Sequence, residues 1–82
     1  MHDNEIKLFD VVALTVDLPE QNLWRGQVGT VVEILANGKA FEVEFSDKQG
    51  QTYESLGLNS KQIMVLYFEP NSISDRQKIV TA

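Results

Sequence analysis

The sequence predicts an all-β fold, a small five-stranded barrel with a long first loop and a flexible C-terminal tail. Three observations carry this expectation. Five short runs rich in β-branched, aromatic and other apolar residues follow one another, bounded by Gly, Asn, Asp and Pro. In the third run, apolar and acidic residues alternate strictly from Phe41 to Phe45, as a half-buried strand requires. Between the second and third runs stands Asn37-Gly38, whose tolerance of positive φ marks a tight hairpin turn of type I′.

The first run, Leu8-Phe9-Asp10-Val11-Val12-Ala13-Leu14, is long enough for a strand and too short for an ordinary helix. Thr15 to Gly26 (TVDLPEQNLWRG) has no period of either kind and reads as a long ordered loop, uncommon in compact domains and often functional. Gln27 to Leu35 is the second strand. Simple alternation puts Val28, Thr30, Val32 and Ile34 on one face with Val31 and Leu35 on the other, so Gly29 is expected to mark a bulge or a bend at a barrel corner. After the Asn37-Gly38 turn, Ala40 to Phe45 points Phe41, Val43 and Phe45 into a core and Glu42 and Glu44 to solvent. Ser46 to Gly50 supplies a turn and Gln51 to Leu58 a fourth, less regular strand. Asn59 to Gln62 is a tight connection, and Ile63 to Leu66 is the fifth strand. Closure suits such a set because it leaves no strand edge exposed. The expected boundaries are a flexible N-terminus over 1–7, the barrel over 8–70, and a polar tail over 71–82 that is disordered or a short helix capped by Ser72 or Ser74.

Composition narrows the chemistry. The 82 residues, 43% apolar and 23% charged, fit one domain. A chain of that size buries roughly 60% of its unfolded surface and has little left for a deep pocket. The absence of cysteine excludes a disulfide framework, a thiolate zinc site and a thiol nucleophile. The polar start lacks the order of a signal peptide and no apolar run reaches spanning length, so a cytoplasmic protein without membrane contact is expected. Twelve acidic residues against seven basic ones give a net charge of −5. The cations Lys7, Arg25, Lys39, Lys48, Lys61, Arg76 and Lys78 form no cluster in sequence, which disfavours phosphate neutralisation and nucleic acid as a partner. A basic protein partner is the natural complement.

The stretch Arg25-Gly26-Gln27-Val28-Gly29-Thr30-Val31-Val32 resembles the Gly-x-x-Gly-x-Val strand turn of SH3-like barrels, including KOW-type modules of ribosomal and transcription proteins. From Phe9 to Pro70 the chain resembles a family of small stand-alone bacterial proteins of unknown function, well represented in cyanobacteria. Asp17-Leu18-Pro19-Glu20, Gly26 to Gly29, Phe41 to Phe45 and Leu58 to Val65 carry that likeness. The resemblance implies an SH3-like barrel and, for some members, a co-encoded small protein as the partner of an antitoxin or immunity protein. Related-looking barrels also serve as accessory subunits in electron transport.

Catalytic candidates are few. His2, the one histidine, stands in the terminal segment. Glu42 and Glu44 share a side and would suit a cation or a shared proton, but alternating glutamates opposite Phe-Val-Phe are first of all a solvated sheet surface. They also suit an acidic binding face, with Asp47 or Glu54 if strand pairing brings those near. The loop holds Leu18, Leu23, Trp24 and Arg25. Trp and Arg are the residues most enriched at interface hot spots; for Trp24 an exposed contact and a lid over one barrel mouth are equally open, whereas Leu18 and Leu23 are expected to fold back as the lid. Tyr53, Tyr67 and Phe68 lie beside glutamates or without cations and read as core or rim packing instead of base-stacking platforms.

These readings converge on a non-enzymatic protein-binding module, in its specific form an antitoxin- or immunity-type inhibitor. Its contacts would be Asp17, Glu20, Trp24, Arg25, Glu42 and Glu44, without cofactor or metal. Two other readings stay open at this level: a KOW-like nucleic-acid-associated module, and an accessory subunit of a redox or photosynthetic complex.

Overall fold

The structure, a computed structural model, describes residues 5–67. His2, Phe68 and the 71–82 segment lie outside the described residues. The fold is all-β: β1 (Val11–Leu14), β2 (Val28–Leu35), β3 (Ala40–Ser46), β4 (Thr52–Asn59) and β5 (Ile63–Val65). They form one antiparallel sheet in the order β4-β3-β2-β1-β5, so β4 and β5 are its margins. Among the described residues no pairing joins those margins, and the expected closure by hydrogen bonding is not observed.

The core lies on one side of the sheet. Val12 and Leu14 of β1, Val31 of β2, Phe41, Val43 and Phe45 of β3, Leu58 of β4 and Ile63 of β5 belong to one buried cluster with Ile6 and Leu23. Ile6, on the terminal side of the expected boundary, is thus a core residue. β3 behaves as its alternation predicts, with Phe41, Val43 and Phe45 buried and Glu42 and Glu44 between them.

The second strand differs from expectation. Val31, not Val28 or Ile34, is fully buried, while those two are nearly half exposed. Gly29 is not the bulge. It lies opposite Phe45 at a point where an added Cβ would stand 2.7 Å from the Glu44 carbonyl oxygen and 2.7 Å from Val43 Cγ1. Glycine is there because β3 approaches too closely for a side chain. The bulge comes later: Val31 pairs with Val43 and Glu33 with Glu42, leaving Val32 as the extra residue.

The first strand is shorter than its apolar run. Lys7 to Asp10 forms a turn, in which Asp10 Oδ2 accepts from the Lys7 N–H (2.8 Å). Phe9 takes φ +70° and its N–H donates to Val31 O, while Val31 N–H donates to Asp10 O. Two residues thus face one, a bulge whose first position is left-handed. At Asn37-Gly38 the predicted turn is present: both have positive φ and Lys39 N–H donates to Ala36 O, as in a type I′ turn. Asp47 serves the β3–β4 turn, its Oδ1 accepting from the N–H groups of Gln49 and Gln51.

Candidate functional site

The long loop is an ordered hairpin. Thr15 fastens its start to the β4–β5 turn through its N–H to Gln62 O and its hydroxyl to Lys61 O, both 2.9 Å. Further out, Leu18 and Leu23 exchange backbone hydrogen bonds around a 3-10 turn at Pro19–Gln21, and Asn22 adopts the left-handed conformation that ends it. Leu23 is fully buried and Leu18 packs against the same core, as the lid expectation has it. Alternation then sends Trp24 outward, 49% exposed.

Trp24 to Gln27 forms a tight turn, closed by Gln27 N–H to Trp24 O (3.0 Å). Gly26, at φ +95°, supplies the positive φ that a type II turn needs at its third residue, and Arg25 occupies the corner. Asp17 Oδ1 accepts from the Arg25 backbone N–H at 2.8 Å, so Asp17 braces the turn. The exposed Trp-Arg pair is therefore carried on a backbone held at four places: Leu14, Asp17, Leu23 and Gln27. Glu20 lies exposed on the 3-10 turn at the far end of the hairpin.

Gln27 adds a residue that sequence reasoning did not single out. Its Oε1 accepts from the Trp24 N–H (2.5 Å) and its Nε2 donates to the Tyr53 hydroxyl (2.8 Å). A second half-exposed aromatic ring thus stands one side chain away from Trp24. No sequence signal links residues 27 and 53, because their proximity arises from the β2-β3-β4 pairing.

Glu42 and Glu44 form the second group, on the face of β3 opposite the core. Glu44 lies opposite Thr30 and Glu42 opposite Glu33, so the Val32 bulge brings in a third carboxylate that alternation alone misses. Glu54 does not join them: it lies opposite Phe45 and so shares the other side of the sheet. Asp47 is engaged in its own turn. The partners of the acidic row are hydroxyls, Ser55 Oγ donating to Glu42 Oε2 at 2.6 Å and Thr52 Oγ1 to Glu44 Oε1 at 3.4 Å. Among the described residues no cation pairs with them.

The loop and the acidic row are two ends of one stretch of chain: Gln27 leads into exposed Val28, and Glu44 is reached at Thr30, about 10 Å further along β2. Tyr67 is half exposed and lines a groove of about 450 Å³ with Ile6, Ile63, Met64 and Val65, apart from these residues. Among the described residues no charged or polar side chain is buried, no group of three His, Cys, Asp or Glu is placed to hold a metal ion, and no helix is long and apolar enough to cross a membrane.

An antiparallel five-stranded sheet with a braced first loop and an acidic outer face defines a small all-β domain. The particular family is given by the sequence: residues 8–65 match the family described as a domain of unknown function, DUF4926, and the chain belongs to it. No curated protein and no solved structure matches it.

Proposed function

We propose that this protein is a non-enzymatic protein-binding module whose first loop and acidic face dock onto a basic partner, in the manner of an antitoxin or immunity protein. The observation that carries the reading is the Trp24-Arg25 corner. An exposed indole and guanidinium stand on a backbone already fixed by buried Leu23, Asp17 and Gln27, so the loop itself need not be ordered on binding, and Trp and Arg side chains are the usual centres of binding energy. The acidic row and the net charge of −5 favour a cationic partner and speed its approach. We further infer an SH3-like curl of the sheet. Its support is that all five strands contribute to one core, with the order β5-β1-β2-β3-β4 and the long connection between β1 and β2.

The test is affinity capture from lysate of the native host at low and moderate salt, with wild type beside a Trp24→Ala, Arg25→Ala double variant. A stoichiometric small basic protein, weakened by about 2 kcal/mol or more in the variant, is the expected result. Recovery of nucleic acid, or of the same partner equally well by both proteins, overturns the reading.

A further inference from the structure

The two margins of the sheet are unequal. β5 has three residues, too few to template another chain, whereas β4 has eight. β4 contains no proline and no lysine, the residues that usually blunt an edge, and its single charge is Glu54. A register shift at Tyr53 interrupts only its beginning.

Hydrogen-bond alternation shows which groups of β4 are free. The N–H and C=O of Val31 serve Asp10 and Phe9, on the β1 side. Those of Thr30 therefore face β3 and bind Glu44, those of Phe41, Val43 and Phe45 face β4, and those of Leu58, Leu56 and Glu54 answer them in turn. The N–H and C=O of Ser55 and Gly57 consequently point away from the sheet, and among the described residues nothing takes them.

The same register places Glu44 opposite Ser55 and Glu42 opposite Gly57. A strand added outside β4 would lie about 10 Å from β3, two strand spacings. On the acidic side β4 places only the small residues Ser55 and Gly57 at these positions, with Leu35 Cδ1 3.7 Å from where a Gly57 Cβ would stand. Side chains of the added strand opposite Ser55 and Gly57 share the side of Glu42 and Glu44, and a Lys or Arg at those alternate positions spans the gap. The intervening side chains fall beside half-buried Leu56 and suit apolar residues.

We propose that the free edge of β4, at Ser55 and Gly57, takes an extended segment of a basic partner protein as an additional strand, its alternating cations reaching Glu42 and Glu44 across the small side chains of β4. This deepens the binding-module reading and rests on it. A second copy of the chain is the poorer occupant, since it brings another net charge of −5 to the same carboxylates.

The probe is a synthetic peptide of alternating lysine and valine about as long as β4, set against one of the same composition with its lysines and valines in separate blocks. Binding is followed by amide NMR of the full chain. The alternating peptide is expected to shift and protect the amides of Ser55 and Gly57. Gly57→Pro, which removes an outward N–H without breaking a bond to β3, is expected to weaken it about tenfold. If that variant does not fold, a Glu42→Gln, Glu44→Gln double variant carries the test, with a loss of similar size and a flatter dependence on salt. Equal binding of the block peptide, or dimerisation through β4 without peptide, overturns the proposal. Shifts confined to Trp24 and Arg25 overturn it while leaving the loop reading intact, and no binding at either place, together with failure to capture a basic partner, overturns both.

Discussion

Strands β2 and β3 are hydrogen-bonded neighbours that meet the same packing demand in opposite ways. β3 supplies volume, with Phe41, Val43 and Phe45 all pointing into the core. β2 supplies room: Gly29 stands opposite Phe45, and Val31 is the one side chain of β2 in the buried cluster. The pair, not the single strand, is the unit whose volume is conserved, which is why the pattern of one strand is regular and that of the other is not.

The largest effect should come from the strand that supplies volume. Phe45 is fully buried, and Phe45→Ala removes an aromatic ring from a core that cannot collapse around Gly29. The expected cost is about 3–5 kcal/mol. A domain of this size holds only about 4–12 kcal/mol in total, so urea denaturation should find the variant largely or partly unfolded in water. A loss below about 1 kcal/mol would mean that Phe45 is not central to the core.

Gly29→Ala tests the other half of the comparison. Two atoms at 2.7 Å, one of them backbone, leave no space for the methyl group, and the strands must separate at an expected cost of about 1–3 kcal/mol. Gly57 is the control. Its nearest neighbour would be Leu35 Cδ1 at 3.7 Å, an ordinary contact, so Gly57→Ala should be neutral or stabilising by about 0.5–1 kcal/mol. Equal effects at the two glycines would refute the close approach of β3 to β2.

The difference between these strands also explains what could be read from sequence. The order of five strands, the Asn37-Gly38 turn and the inward set of β3 are local signals, and each is found in the structure. So is the inward turn of Leu23 within the long loop, whereas the sequence leaves Trp24 open between lid and exposed contact and the structure turns it outward. Non-local facts were not readable. That Gly29 faces Phe45, that Glu33 joins Glu42, and that Gln27 bridges Trp24 to Tyr53 each depend on register between strands, and one bulged residue changes the parity of everything beyond it. Leu8 and Phe9 misled for a related reason: they look like strand residues, yet the bulge opposite Val31 turns Phe9 out, 69% exposed.

The smallest expected effect is the sharpest probe of the bulge in β2. With Val32 as the extra residue, Glu33 lies opposite Glu42, and two like charges face each other at cross-strand distance. Glu33→Lys replaces repulsion by attraction and should stabilise the fold by about 0.2–1 kcal/mol at low salt, a gain that shrinks as ionic strength rises. Without the bulge, Val32 would stand opposite Glu42, and Val32→Lys would be the stabilising change. Thermal unfolding of both variants at two salt concentrations therefore reads the register directly. The gain at Glu33 should come with weaker capture of a basic partner, since the repulsion it relieves belongs to the same carboxylate row that attracts the partner.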